Sequence, residues 1–306
     1  MNLQLYNRIS VPFVLVLVMS GCADQREDVP PPTASGVQVH ETGWADPASD
    51  KFHGNSIRAN NWDMRSCQAC HGSTYAGGIA NSSCRDCHTG GAGPENCATC
   101  HGGNNPAPPR DLSGSTLRSS RGVGAHQVHL NGSAIASGMF CSTCHNVPPS
   151  MYAPGHVDSP QPAEIIMGSA VANTVTNEPG TPDHDIGNPV VTPSPAFSTG
   201  TLGCSNTYCH GYFKNGNFAN APVWNDTTST AAQCGTCHGD VTQPPNTLAW
   251  AVPRTTAQGG THPDVVSQVT PCNICHGDVV DANYRIINTA KHINGKLNVF
   301  GEERDY

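Results

Sequence analysis

The sequence predicts a mostly irregular fold with short helices and few strands, whose core is largely something other than polypeptide. Three observations predict it. Gly (32) and Pro (25) are abundant in the 306 residues, which favours turns and loops over long regular elements. Only 37% of residues are hydrophobic and 12% charged, too few apolar side chains to offset readily the entropy of ordering the chain. That composition alone reads as disorder. The 15 Cys and 15 His favour a core supplied by a non-peptide group instead.

The formal charge is −8, and no basic run or basic helix is present. Nucleic acid is therefore not a partner, because phosphate binding needs a Lys/Arg footprint.

In chain order, residues 1–21 read as an export signal. Arg8 provides the positive start, residues 9–19 a mostly apolar run, and Ser20 and Gly21 the small residues before Cys22. The run is too short to span a bilayer. Cys22 is the one cysteine outside the paired motifs. Met19-Ser20-Gly21-Cys22 resembles the lipobox of bacterial lipoproteins, which implies lipidation of Cys22 and a membrane anchor. The alternative is an ordinary signal peptide that leaves a spare thiol. Residues 22–50, rich in Pro, Asp and small side chains, read as a flexible tether.

Six times the chain spells Cys-x-x-Cys-His: Cys67/Cys70/His71, Cys84/Cys87/His88, Cys97/Cys100/His101, Cys141/Cys144/His145, Cys234/Cys237/His238 and Cys272/Cys275/His276. A seventh copy, Cys204/Cys209/His210, has four residues between its cysteines. Even at this chain's own Cys and His frequencies, chance gives about 0.04 copies. Cys-x-x-Cys-His is the attachment pattern of c-type haem. Two thiols add to the two vinyl groups on one edge of the porphyrin, and the adjacent imidazole is held over the ring where it can bind iron. The longer spacer still reaches both vinyls if its extra residues bulge outward. Seven covalent haems are thus expected. Three other readings stay open. Zinc also uses Cys-x-x-Cys pairs but needs no His after each second Cys. Disulfides suit an exported protein but leave the His unexplained. Thioredoxin-type motifs occur once per domain beside a βαβ pattern that is missing here.

Each motif His is a proximal ligand, which leaves eight others: His40, His53, His126, His129, His156, His184, His262 and His292. Met beyond the signal is limited to Met64, Met139, Met151 and Met167. The supply favours a second His on every iron, the ligation of low-potential electron-transfer haems. Position supports this. His53, His129 and His262 lie 14, 12 and 10 residues before Cys67, Cys141 and Cys272, while His156 and His292 lie 11 and 16 residues past His145 and His276. His40, in the tether, is the expected non-ligand. The distal candidates are then His53, His126, His129, His156, His184, His262 and His292.

The motifs divide the chain into a three-haem module (51–111), a single-haem unit (112–163), a Pro/Thr/Asn-rich loop (164–200) and a second three-haem module (201–306). Weak internal similarity relates the segment before Cys141 to that before Cys272, and Gly155-His156-Val157-Asp158 to Lys291-His292-Ile293-Asn294. Each unit brings a motif plus a neighbouring His. Short helical turns are expected at the motifs, longer helices over 164–172 and 281–293, and short strands at 190–191 and 297–300.

Cys204-Ser-Asn-Thr-Tyr-Cys209-His210-Gly211, then Trp224, then Cys234-Gly-Thr-Cys237-His238-Gly239, resembles the CxxxxCH/CxxCH multihaem c-type cytochromes of metal-reducing bacteria. The likeness covers roughly residues 125–293. Cys70-His71-Gly72, Tyr75 and Gly77-Gly78 are similar to other compact multihaem modules. The resemblance implies electron transfer in the cell envelope, often toward extracellular acceptors such as metal oxides. It implies partners that are other cytochromes, a metal oxide or an outer-membrane porin complex, and the outer membrane as location. A reductase with an open or Lys-ligated iron is a competing reading, although no Cys-x-x-Cys-Lys motif is present. A subunit of a cytochrome filament or porin-cytochrome complex is another, sharing the chemistry and differing in assembly.

Overall fold

The computed structural model describes residues 39–306, apart from 104, 106, 108–109, 159–162, 229, 241, 245–246, 261 and 265–270. The export signal, Cys22 and most of the tether lie outside the described residues. The chain falls into two units, Met1–Ala59 and Asn60–Tyr306.

In the first unit, helix α1 (His53–Ala59) follows a run of turns. The turns fold back so that Trp44 stacks on His40 at 4.4 Å and its carbonyl accepts the backbone N–H of His53 at 2.8 Å.

The second unit is mostly irregular, as its composition demands. Its described helices are α2 (Gln68–His71), α3 (Cys97–His101), α4 (His126–Asn131), α5 (Leu248–Ala251) and α6 (Asn273–His276). Each is one or two turns long. Two antiparallel pairs complete the regular structure: β1 (Ala196–Phe197) with β2 (Cys204–Ser205), and β3 (Leu297–Val299) with β4 (Glu302–Arg304). Among the described residues no helix is long and apolar enough to cross a membrane.

The expected turns at the motifs form for a local reason. In three of them the His amide closes an i to i−4 bond onto the first Cys, at 2.9 Å for His88, His145 and His276. The strand expected at 297–300 is β3, and its turn through Phe300 (φ 52) and Gly301 (φ 81) has the two left-handed residues that a tight hairpin prefers. Val191 makes a single bridge to Thr176.

The two longer helices do not form. Residues 164–172 are irregular, turning at Met167 (φ 44) and entering a 3-10 turn at Val171–Asn173, because the backbone there bonds motif residues instead: Ile166 N–H donates to Cys144 O at 2.8 Å. Residues 281–293 are a chain of turns. Asp281 Oδ1 captures the amides of Asn283 (2.8 Å) and Arg285 (2.9 Å), the side-chain competition that makes such residues poor helix formers.

The polypeptide core is small. Its described buried apolar residues are Met64, Tyr75, Ala107, Val123, Ala125, Ala153, Ala172, Cys204, Tyr208, Val279 and Val280. No Leu, Ile, Phe or Trp is among them. Ordering each backbone residue costs about 1–2 kcal/mol, and a set so rich in alanine offsets little of that.

Candidate haem-binding sites

The seven motifs sit on different local frames. Cys67–His71 runs from a 3-10 turn into α2, Cys97–His101 is α3, and Cys272–His276 runs into α6. Cys84–Asp86 and Cys141–Thr143 are 3-10 turns, and Cys234–His238 is a series of turns anchored by a bridge from Gly216 to His238. The long-spacer motif differs most. Cys204 lies on β2, Asn206 turns the chain at φ 54, and Tyr208–His210 forms a 3-10 turn. The spacer residues do not all bulge outward. Thr207 and Tyr208 are buried, and Tyr208 packs on Phe213 (5.2 Å) and bonds Tyr306 through its hydroxyl (3.2 Å). The extra length thus adds an aromatic anchor under the motif.

Cys275 lies in the short helical turn expected at its motif and has a distant tie as well. It lies within α6 and is half-buried, and its carbonyl accepts the Phe300 N–H at 2.6 Å. The second thiol of the Cys272 motif is therefore positioned by the β3–β4 hairpin as well as by its own helical turn. The physical reason is the short helix: α6 ends at His276, so the Cys275 carbonyl has no intrahelical partner and takes one from the hairpin.

The fourteen motif cysteines are unbridged, so the Cys67–Cys70, Cys84–Cys87, Cys97–Cys100, Cys141–Cys144, Cys204–Cys209, Cys234–Cys237 and Cys272–Cys275 pairs form no disulfides. Among the described residues no group of three or more His, Cys, Asp or Glu converges as a bare metal ion would need. Burial raises the most enclosed thiols, pushing Cys204 up to about 11 and Cys209 up to about 12. A thiolate metal site or redox dithiol needs the opposite shift. A thioether carries no charge and suits the same burial.

The histidines meet in pairs. Ring centres are 5.9 Å apart for His101 and His156, 6.2 Å for His145 and His126, 6.2 Å for His210 and His129, and 6.4 Å for His238 and His292. Two metal–imidazole bonds of about 2.0–2.1 Å, with about 1.1 Å more from each nitrogen to its ring centre, place two trans imidazoles about 6.3 Å apart. Burial lowers the pKa of His262, with a smaller contribution in the same direction from His276. In each pair one member is a motif His and the other a distal candidate.

Ring tautomers point the same way. A carbonyl oxygen only accepts, so each ring nitrogen bonded to one must carry the proton. His71 Nδ1–H donates to Ser82 O (2.8 Å), His145 to Glu164 O (2.9 Å) and His276 to Asn298 O (2.6 Å). The distal candidates repeat it: His53 to Trp44 O (2.9 Å), His126 to Val123 O (2.9 Å), His129 to Ala125 O (2.9 Å) and His156 to Met151 O (2.7 Å). So do His184 to Asn177 O (2.9 Å), His262 to Pro263 O (3.2 Å) and His292 to Ile135 O (2.5 Å). Nε2 is left as a lone pair, the state of an imidazole held as a metal ligand. At His210 and His238 the buried Nδ1 has no such partner.

Burial keeps the rings neutral. It pushes His210 and His238 down to about 4, with His129 and His292 respectively adding repulsion. His101, His126 and His292 are lowered chiefly by the same cause. A neutral ring at pH 7 is the form that binds iron.

The pairing departs from sequence proximity. His129 lies before Cys141 yet faces His210; His156 follows His145 yet faces His101; His292 follows His276 yet faces His238. One residue that touches these sites stands out only here. Trp224 lies edge-on to His126 at 4.6 Å and stacks on His129 at 5.7 Å. In the sequence it is visible only as part of the motif spacing.

Residues 203–238 match the family model described as the Geobacter CxxxxCH...CXXCH motif. No curated protein and no solved structure matches the chain. The matched segment carries the haem-attachment pattern of multihaem c-type cytochromes, proteins that bind haem covalently and transfer electrons. The irregular fold, short helices and small strand pairs agree with that class.

Proposed function

We propose that this chain is a seven-haem electron carrier of the cell envelope, with both axial positions of each iron held by histidine. The observation that carries the proposal is the set of facing imidazoles 5.9–6.4 Å apart, with Nδ1 tied to backbone carbonyls in most of the histidines. Bound haem supplies a one-electron couple whose potential follows its axial ligands. The protein's part is to orient the rings, keep their Nε2 lone pairs free and leave no coordination position for a substrate. That favours carriage of electrons over reduction of a small molecule. His53 and His184 present the same tautomer as the paired distal residues, and His40 stays outside the set.

The ligands also support a chain of neighbouring sites in sequence order, from His101 to His276. His156, facing His101, is borne on the loop that follows His145. His126 and His129 share α4 and serve the His145 and His210 sites. Asn220 Nδ2 donates to His210 O (2.8 Å) and contacts Cys237 Sγ (3.7 Å), joining that site to the next. Asn298 accepts the His276 proton on its carbonyl, and its side chain donates to Lys291 O (2.9 Å) beside His292. Gly211, at φ 109, would place a Cβ only 2.6 Å from Cys237 O, so the two motifs of the matched segment interlock through a glycine.

Export through residues 1–21, a lipid on Cys22, an outer-membrane location, and delivery of electrons to other cytochromes, a porin complex or extracellular metal oxide complete the reading. Its support is the signal, the lipobox likeness, the tether and the matched family segment. The test is the intact mass of protein matured in a host with a cytochrome c assembly system, with spectra recorded with and without carbon monoxide. Seven added haems and no carbon monoxide shift are expected. Fewer haems, or carbon monoxide binding to several of them, would overturn the seven-site, two-histidine scheme.

A further inference from the structure

The geometry points to Trp224 as a positioning residue that sets the ring planes of two neighbouring distal ligands, His126 and His129. This rests on the two-histidine reading of the His145 and His210 sites. Those ligands lie three residues apart on α4, so they share one side of the helix while facing different motif histidines. Each ring is tethered at Nδ1 by one carbonyl, Val123 O for His126 and Ala125 O for His129. One hydrogen bond fixes where the nitrogen points and leaves the ring free to turn about that bond. The indole removes this freedom at both rings. It lies at 88° to His126 and at 28° to His129, with ring centres 4.6 and 5.7 Å away.

The indole is itself held from several directions. Nε1–H donates to Arg121 O at 2.9 Å, and the backbone N–H of Trp224 donates to Leu202 O at 2.7 Å. Asn225 Nδ2 donates to Ser119 O at 2.8 Å. Gly124, at φ 44, completes the seat: a Cβ there would sit 1.9 Å from Trp224 Nε1 and 2.4 Å from Cδ1. A residue of the matched CxxxxCH to CxxCH segment thus reaches back about a hundred residues to grip the helix in front of another motif. With the rings so held, His126 stands 23° from His145 and His129 stands 69° from His210.

Those angles have a chemical consequence. An imidazole donates through the π orbital perpendicular to its ring. Two near-parallel rings engage the same iron d orbital, whereas two near-perpendicular rings engage different ones. The first arrangement gives a rhombic low-spin ferric resonance and the second a strongly anisotropic one. Ring orientation is thus a lever on an iron whose ligands are unchanged.

The experiment is low-temperature electron paramagnetic resonance of the oxidised full-length holoprotein, with redox titration, for the wild type, Trp224→Phe, Trp224→Ala and Gly124→Ala. Intact mass and carbon monoxide spectra accompany each. Trp224→Ala should keep its haems and stay closed to carbon monoxide, while one rhombic and one anisotropic component shift. Gly124→Ala, which crowds the indole, should shift the same two, and Trp224→Phe should restore much of the wild-type spectrum by keeping an aromatic face. Unchanged resonances and potentials in both Trp224→Ala and Gly124→Ala would overturn the assignment. If Trp224→Ala fails to mature, unchanged spectra in Gly124→Ala alone would do so. Failure of the underlying reading shows differently, as carbon monoxide binding or missing haems in the wild type.

Discussion

The motifs at Cys67 and Cys84 and those at Cys204 and Cys234 use the same three side chains, yet they are held by different means. In the first pair the ties of the motif residues themselves are local, although Met64 N–H, three residues before Cys67, donates to the Tyr152 hydroxyl at 3.1 Å. The His71 ring is fixed by Ser82 O eleven residues on, Cys84 N–H donates to Tyr75 O at 3.0 Å, and Arg85 Nε–H donates to Thr74 O at 2.9 Å. In the second pair the ties are distant. His210 faces His129, His238 faces His292, and Tyr208 is locked to Tyr306. A site built from near neighbours forms with little loop-closure cost. A site built across fifty or eighty residues brings its chain segments together only if something strong joins them. In the proposed scheme a haem iron held by the two histidines would be that join, and each such site would also be a cross-link of the fold.

The sharpest way to break the comparison is to remove a haem from each region in turn. Cys204→Ala with Cys209→Ala should lower the intact mass by one haem and expose 203–238 and α4 to hydrogen exchange and proteolysis, as metal-dependent folds are exposed when metal is removed. Cys84→Ala with Cys87→Ala should remove one haem and leave the exchange of 203–238 at its wild-type rate. Equal loss of protection in both variants would contradict the division into local and distant sites.

Next in size is loss of one distal ligand. His129→Ala should open a single iron, the one held by His210, and produce carbon monoxide binding equal to about one haem in seven. His129→Met should keep that iron closed and raise its potential, read as one component of the redox titration moving upward. His40→Ala should change neither spectrum.

How far the sites were legible in the sequence follows from this division. The seven attachment motifs were legible as candidates, because two thiols and an imidazole must lie side by side in the chain to reach one porphyrin edge. What else holds a thiol in place was not: the tie from Cys275 O to Phe300 N–H joins the motif to a hairpin that no spacing rule connects with it. A surplus of histidines for a second ligand was legible by count alone. Which rings come together was not: His129 and His156 look like companions of the Cys141 motif, yet their rings lie beside those of His210 and His101. The strand at 297–300 was legible from its apolar residues before Phe300-Gly301, whereas the helices expected over 164–172 and 281–293 lost to hydrogen bonds that no local periodicity reveals. Trp224 could be read only as part of a motif, since its role depends on a contact with Arg121 and Gly124 far upstream.

Acid separates the two regions by a smaller margin. Burial holds His210 and His238 at about 4, below the ordinary histidine value of 6.5, so the unfolded chain binds protons there before the folded one does. Their neutral burial therefore costs nothing above pH 6.5 and destabilises progressively as pH falls from 6.5 to about 4. An iron bond would add to this preference for the neutral ring, so the melting temperature of the holoprotein should fall as pH drops below 6.5, with exchange around His210 and His238 rising first. A melting temperature flat between pH 7 and 4 would contradict the burial of these rings.

The smallest expected effect is at Asn220, which ties the two matched motifs without touching either iron. Its Nδ2 donates to His210 O at 2.8 Å, with Cys237 Sγ at 3.7 Å, so Asn220→Ala leaves a part-buried carbonyl without that donor. Such a loss costs about 1–2 kcal/mol, or roughly 2–8 °C in melting temperature for a unit of this size. Haem number, carbon monoxide spectra and the resonances of the His101 and His145 sites should stay as in the wild type, because no ligand or ring contact is removed there. If Asn220→Ala instead lost a haem, the interlock of the two motifs would depend on this one amide. The Gly211 contact and the Asn217 N–H bond to Cys237 O at 2.8 Å, which remain in the variant, would then be insufficient to hold the segment.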